Sequence, residues 1–285
     1  MSSTVDSLFD RQAPRAQALL LQALAAQPQR LDLAALAVAA LENPDVDAAA
    51  FDHALESLAL RVRIRQGERV GLDAALDALR GVLAEEEGLI GDDHNPSPAG
   101  ASCVDAVLES KRGLPITLSV LYLEVARRAD IALYGISFPG HFLIGADGRD
   151  GTQILDPFHG GQRMSFADCA ALLKRYAPRI NFTHALLTPA TVPIIAGRML
   201  ANLKQVYLRE GQGERALRAI DLLLLVAPDH PGELRARAAL LSALGAYRAA
   251  LVDVERCLEL GPLSEDAGRL TAAAQGLRRQ VERLN

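Results

Sequence analysis

Four positions near the end of the chain recur 34 residues later, and this repeat constrains the fold more than any other feature. The first set is Tyr207, Gly211, Ala216 and Pro228, and the second is Leu241, Gly245, Ala250 and Pro262. In a repeat of this length the small residues let two helices of a hairpin pack closely, and the proline follows the second helix. The segment 191–285 is therefore predicted to be all-helical, with about two repeats and a closing helix at 267–284.

The repeat has the pattern of tetratricopeptide (TPR) units, although neither unit has the tryptophan that often opens one. Two units cannot build a long superhelix, so the tail is predicted to be a short helical appendage. Because stacked helical hairpins present a concave groove, a protein or peptide partner is expected to bind there.

Leucine and alanine at helical spacing dominate residues 14–89, with turn signals at Gln27–Pro28, Asn43–Pro44 and Gly67. This pattern predicts three or four helices. We therefore expect a helical N-terminal region spanning residues 1–90.

A loop rich in proline and glycine, at 91–102, precedes two predicted helices. Ser102 and Asp105 have the spacing of a capping box, which predicts a short helix that ends at Gly113. Pro115 suits the first position of a second helix, predicted to run to about Ala129.

The periodicity changes from helical to extended after Ile131. The segments ALYGISF, HFLIGA and TQILDPF are short, rich in β-forming residues and separated by turn signals, so they predict two or three antiparallel strands. Residues 164–177 return to a helical pattern. The predicted fold class is α+β, with a helix packed on a small antiparallel sheet in a core domain at 91–190, followed by the all-α tail.

One histidine and one aspartate stand at the ends of two predicted strands. His141 begins one strand and Asp156 ends the next, so in a hairpin the two side chains are expected to be cross-strand neighbours. Such a pair orients the base of a thiol acyl-transfer enzyme, whose cysteine attacks from a helix N-terminus. No cysteine stands at the start of the Pro115 helix. The alternative is a structural histidine held by a carboxylate beneath a tight turn.

Three motifs together resemble a known family. RGLPITLSVLYLEVARR, FPGHFLIG and LDPFHGG are similar to the SirB-type bacterial proteins, which join a transglutaminase-like domain to C-terminal TPR units, and to an animal F-box protein with the same core. The resemblance covers roughly residues 55–260. It implies a transglutaminase-like fold with His141 and Asp156 at the catalytic His and Asp positions. It also puts Pro115 or Ile116, which cannot act as nucleophiles, at the cysteine position.

Three other residues are candidate nucleophiles. Thr117 and Ser119 lie in the first turns of the Pro115 helix, where a hydroxyl more often bonds to the backbone or packs. Cys103 follows Ser102 near a helix start, where the helix dipole favours a thiolate, although a free cysteine is more often a small buried apolar residue. Cys169 and Cys257 are expected to be structural.

The sequence predicts no metal ion and no cofactor. His94, His141, His159 and Asp156 lack the close spacing of common metal sites, and no glycine-rich phosphate loop is present. Six residues are predicted to line a cleft between the helix and the sheet: Pro115, Ile116, Thr117, Ser119, Phe138 and Phe142.

Charge and hydropathy exclude other classes of partner. The net charge of −5, without a basic stripe interleaved with aromatic residues, argues against nucleic acid. The start of the chain does not look like a secretory signal, and no apolar run is long enough to span a membrane. Three widely spaced cysteines fit a reducing compartment, so a cytoplasmic protein is expected.

Two functions remain after this reasoning. The first is a non-catalytic, or catalytically degenerate, protein-binding or regulatory module that uses the cleft and the TPR groove. The second is a hydrolase or acyltransferase that uses His141 and Asp156 with Cys103, Thr117 or Ser119 as nucleophile. The absent cysteine favours the first.

Overall fold

A computed structural model describes residues 13–92, 98–149 and 151–284 of the chain. His94, one of the metal ligands considered above, lies outside the described residues. The chain divides into two units, one comprising residues 18–199 and the other residues 200–284 with 13–17.

The region before residue 87 is helical, as predicted. Its helices are α1 (Pro14–Ala25), α2 (Leu31–Ala39), α3 (Ala48–Gln66) and α4 (Leu72–Arg80), the last continued by a π-helical turn at Gly81–Glu86. The helix α3 begins where the Asp47 side chain accepts hydrogen bonds from the backbone N–H groups of Ala49 and Ala50.

The next helix, α5 (Val104–Ser110), corrects two expectations. Its N-cap is Cys103, because the Ser102 hydroxyl instead donates to the carbonyl of Pro98, at 3.3 Å. It ends at Lys111, whose φ of 62° is left-handed, and not at Gly113. The reason is tertiary: β2 (Arg112–Gly113) pairs in parallel with β1 (Ile90–Gly91), so these residues are used in strand pairing.

The helix α6 (Pro115–Arg128) begins and ends within one residue of its predicted bounds. Nearly all of its side chains are buried, because α6 packs against α3 and α5 and also against the sheet. A helix with apolar residues on most of its faces is expected to lie in a core, and the charged Glu124 and Arg128 near its end are buried as an ion pair.

The sheet has five antiparallel strands, in the order β6-β5-β4-β3-β7. The strands are β3 (Tyr134–Ile136), β4 (Leu143–Gly148), β5 (Gly151–Asp156), β6 (Gln162–Met164) and β7 (Pro189–Ala190). The central three match the predicted segments. The two edge strands were not predicted, since strands of three and two residues are too short to show a period.

The sheet is covered on both faces. On one face, α7 (Phe166–Tyr176) contributes Cys169 and Leu173 to a buried cluster with residues of β3, β4 and β5. On the other, α6 contacts β3 and β4. The α+β class and the helix-on-sheet core are therefore confirmed.

The TPR region has the predicted helices. They are α8 (Val192–Arg209), α9 (Gly213–Val226), α10 (Pro231–Ala243), α11 (Tyr247–Glu259) and α12 (Ser264–Arg283). Gly211 and Gly245 adopt φ values of 70° and 80° in equivalent turns, and Ala216 and Ala250 are fully buried one turn into the following helices. Each repeated position therefore has the structural role that the 34-residue offset indicated.

Within the described ranges, no helix combines the length and the apolar composition that crossing a bilayer requires.

Candidate functional site

Two turns position the histidine and the aspartate. Gly140, with a φ of 72°, turns the chain after Phe138, whose carbonyl accepts a hydrogen bond from the His141 N–H at 3.1 Å. On the neighbouring strand, Asp156 ends β5 and caps the 3₁₀ helix Pro157–His159 by accepting from the N–H of Phe158, at 3.0 Å.

The pairing register differs from the expectation. Ile144 is opposite Leu155, which places Leu143 opposite Asp156 and makes His141 a diagonal neighbour that precedes β4. A diagonal pair is still within reach of a long side chain. The two side chains therefore meet as expected, although not as directly opposed residues.

The His141 ring lies within hydrogen-bond distance of both carboxylate oxygens. Its Nε2 atom lies 2.9 Å and 3.0 Å from the two oxygens of Asp156. Both side chains are removed from solvent, with 1% and 0% of their surfaces exposed. Within the described part of the chain, the Asp156 carboxylate is the only hydrogen-bond partner of the imidazole.

A second imidazole shares the same carboxylate. His159 Nδ1 lies 2.7 Å from Asp156, and 45% of its side chain is exposed. In a 3₁₀ helix, side chains at positions i and i+3 eclipse one another, which brings His159 beneath Asp156. The Asp-Pro-x-His spacing is the sequence signal that could have placed His159 beside Asp156, whereas above His159 was considered only as a metal ligand.

The histidines control the ionisation of the aspartate. Burial by itself raises the pKa of Asp156, but the hydrogen bonds and charges of His141 and His159 outweigh it, so the pKa is lowered from its usual value. The carboxylate is therefore ionised at neutral pH, although it is fully buried.

Aromatic rings enclose the pair. The Tyr176 ring is stacked on His141, with centroids 5.8 Å apart and an interplanar angle of 18°, and Phe158 presents its edge at 5.7 Å. The stacking depends on Gly140, because a Cβ atom there would lie 2.5 Å from the Cβ atom of Tyr176.

An arginine supports the turn that carries His141. Arg198 of α8 donates to the Phe138 carbonyl at 2.7 Å and to the Ser137 hydroxyl at 3.1 Å. Its guanidinium lies over the Phe142 ring, 5.6 Å from the centroid, and burial lowers the pKa of Arg198. The same carbonyl accepts from the His141 N–H, so Arg198 and His141 both bind the Phe138 end of this turn.

The candidate nucleophiles are placed as follows. The Ser119 hydroxyl donates to the Pro115 carbonyl at 2.7 Å, and the Cys103 thiol, which is buried, donates to the Ala99 carbonyl at 3.4 Å. The Thr117 hydroxyl is buried without a hydrogen-bond partner among the described residues. Across those residues, no serine, threonine or cysteine side chain hydrogen-bonds to the His141 ring.

The residues predicted to line a cleft are mostly internal. Pro115 is half-buried, and the other five are buried: Ile116, Thr117, Ser119, Phe138 and Phe142. Their role in a cleft stays a prediction.

The two remaining cysteines lie on helices and point into hydrophobic clusters. Cys169 packs against the sheet, and burial is the main reason that the pKa of its thiol is raised to about 11. Cys257 lies in the TPR core, where burial also raises its pKa.

Comparison with known proteins gives two family matches. Residues 49–201 match the transglutaminase-like superfamily, and residues 203–275 match the tetratricopeptide repeat.

Curated relatives extend over most of the chain. A UPF0162 protein of Xylella fastidiosa (strain Temecula1) is 34% identical over 235 residues, which cover 80% of this chain and 83% of the relative. A UPF0162 protein of Pseudomonas aeruginosa is 32% identical over 84% of this chain and 88% of its own length. F-box only protein 21 of Mus musculus is 31% identical over 60% of this chain and 28% of that protein.

Proposed function

This chain belongs to the transglutaminase-like family with C-terminal tetratricopeptide repeats, which includes the UPF0162 proteins, and we propose that it is a non-catalytic protein-binding module. In this proposal the TPR region binds a protein or peptide partner. The His141–Asp156 pair shapes the core that carries it. We place this role in the cytoplasm, because three widely spaced cysteines fit a reducing compartment.

The observation that carries the proposal is the environment of His141. Its side chain is 1% exposed, covered by Tyr176, and hydrogen-bonded to Asp156. A general base must reach the proton that it abstracts, either directly or through one water molecule. An imidazole enclosed in this way is suited to holding two turns together.

The start of α6 supports the same conclusion. The family position of the nucleophile falls on Pro115 or Ile116, neither of which carries a reactive heteroatom. The Ser119 hydroxyl, one turn further along α6, donates to the carbonyl of Pro115. A nucleophile needs a base within hydrogen-bond reach, and the Ser119 hydroxyl instead donates to a backbone carbonyl.

The TPR region offers polar groups on the first helices of successive hairpins. Lys204 of α8 binds Glu233 of α10 at 2.6 Å, and Arg235 of α10 binds Asp266 of α12 at 3.2 Å. The first helices of TPR hairpins line the concave face of such arrays, so the exposed Arg235–Asp266 pair, unlike the largely buried Lys204–Glu233 pair, is available to orient a peptide.

The test compares two charge reversals in the full-length protein. Arg235→Glu changes the surface between first helices, and Arg278→Glu is a matched control, because Arg278 also forms an exposed ion pair, with Glu255 of α11. Exposed pairs contribute about 1 kcal/mol or less, so both variants are expected to fold. Cross-linking followed by mass spectrometry should show that Arg235→Glu loses its partners and that Arg278→Glu keeps them.

A third variant separates binding from catalysis. His141→Gln removes any general base, yet it should capture the same partners as the wild type. Two outcomes would show an enzyme and contradict the proposal. One is a partner that accumulates only with His141→Gln, as a trapped substrate does. The other is a captured protein whose mass changes only when His141 is present.

A further inference from the structure

We propose that His141, Asp156 and His159 together bind a divalent transition-metal ion, with zinc as the best match to the donor set. The site lies at one end of the β4–β5 hairpin and is formed within the unit 18–199. It does not depend on the proposed protein-binding function.

The geometry brings three ligand atoms to one point. His141 Nε2, a carboxylate oxygen of Asp156 and His159 Nδ1 all lie within 4.8 Å of one another. The carboxylate stands between the two imidazoles, at 2.9 Å from one and 2.7 Å from the other. Two nitrogen donors and one oxygen donor are the set found in many zinc sites that leave a fourth position open.

The spacing requires a small adjustment. Zinc binds nitrogen and oxygen at about 2.0–2.2 Å, so ligand atoms around a tetrahedral ion are roughly 3.3 Å apart. The carboxylate–imidazole separations are already close to this value. The widest separation has to shorten by about 1.5 Å, which a rotation of the half-exposed His159 side chain can supply.

The surroundings fit a ligand that arrives from one side. His141 and Asp156 are buried, whereas 45% of the His159 side chain is exposed. An ion can therefore enter past His159 and keep a water molecule as its fourth ligand. A further hydrogen bond to the carboxylate, donated by the N–H of Phe158, holds Asp156 in place as outer-shell hydrogen bonds do in metal sites.

The donor set also selects among ions. Imidazole nitrogen suits zinc and its neighbours in the first transition row, whereas magnesium and calcium require mainly oxygen ligands. The chain should bind Zn²⁺ and should not bind Mg²⁺ at this site.

The experiment is isothermal titration of untagged, chelator-treated full-length protein with ZnCl₂. The wild type is expected to bind one ion per chain. His159→Gln should weaken binding at least about tenfold, since even outer-shell changes have effects of this size. The matched control is His53→Gln, on the exposed surface of α3, which should bind as the wild type does. Titration with MgCl₂ should give no binding heat.

Two further measurements keep the result decisive. Circular dichroism tests whether His159→Gln is folded, and if it is not, imidazole NMR of the wild type replaces it. There, zinc should shift the signals of His141 and His159 and leave that of His53 unchanged. Cobalt in place of zinc distinguishes imidazole and carboxylate ligands from thiolates by its absorption spectrum. No zinc binding, equal binding by wild type and His159→Gln, unshifted His141 and His159 signals, or a thiolate spectrum would each overturn the proposal.

Discussion

At the scale of single residues, the buried Asp156 carboxylate organises the site. It is within hydrogen-bond distance of His141 and His159 and accepts from the N–H of Phe158. A buried charge is tolerated only when such partners surround it. The positions of His141 and Asp156 at the ends of two predicted strands were enough to identify them from the sequence. Their side-chain contact was expected because the two strands form a hairpin. The contact of His159 with Asp156 depends on a three-residue 3₁₀ helix, for which the Asp-Pro-x-His spacing is the sequence signal.

Cysteine reactivity is a prediction at this scale. All three cysteines are buried, and the pKa of Cys169 is raised from 9.0 to about 11. Only the thiolate reacts. Because the pKa is about two units higher, the thiolate fraction of Cys169 at neutral pH is roughly a hundredfold lower than that of an ordinary thiol. We expect iodoacetamide to alkylate all three far more slowly in the native protein than in urea, as measured by intact-mass spectrometry. Rapid alkylation of native Cys103 would supply a nucleophile and contradict the non-catalytic proposal.

At the scale of elements, the turn before β4 decides how closely α7 approaches the site. Gly140 has a left-handed φ, and its missing side chain leaves room for Tyr176 at the end of α7. Sequence reasoning identified the turn from its Pro-Gly dipeptide, because turn preferences are local. The partner across the turn could not be predicted, since α7 begins 26 residues after Gly140 and docks by packing on the sheet.

Substituting this glycine tests the close approach. Gly140→Ala should destabilise the 18–199 unit by about 1–3 kcal/mol more than Gly88→Ala, because the new methyl group collides with Tyr176. Gly88 is a matched control, with a φ of 70° against 72° and nothing within 4 Å of the added carbon. Hydrogen exchange of the β4 and β5 amides measures the difference in opening free energy. Equal effects of the two substitutions would show that backbone strain alone matters.

At the scale of the whole 18–199 unit, a buried ion network joins distant segments. Arg128 of α6, with 3% of its side chain exposed, binds Glu124 at 2.5 Å and Asp32 of α2 at 3.1 Å. It also binds Asp52 of α3 at 2.6 Å. Removing one member of such a network leaves a buried charge without its partner, so the cost is larger than for a surface pair.

The network makes stability depend on pH. Burial raises the pKa of Asp32, but its hydrogen bond to Arg30 and the nearby charges outweigh burial and lower it. A lowered folded-state pKa gives stability that is present above the unfolded value of about 3.9 and is lost as the pH falls through the folded value. Asp32→Asn should cost about 1–3 kcal/mol at pH 7, and its unfolding free energy should fall less steeply below about pH 4.

The control uses the exposed end of the same network. Asp52 also contacts Arg128, but 57% of its side chain is exposed. Asp52→Asn should therefore lower the free energy of unfolding by less than about 1 kcal/mol. Urea denaturation between pH 3 and pH 7, monitored by circular dichroism, compares both variants with the wild type. If the unfolding free energy of Asp32→Asn falls with pH as steeply as that of the wild type below about pH 4, Asp32 does not cause the loss of stability in acid.

The sequence by itself determined the local features: the 34-residue repeat, the helix from Pro115, the three central strands, and the order in which His141 and Asp156 occur. These follow from periodicity, turn residues and capping, which involve neighbours in the chain. Only the tertiary structure decided the end of α5, the edge strands, and the diagonal rather than direct pairing of His141 with Asp156. Each of these depends on strand pairing or packing between residues distant in sequence, whose free energy no local pattern contains.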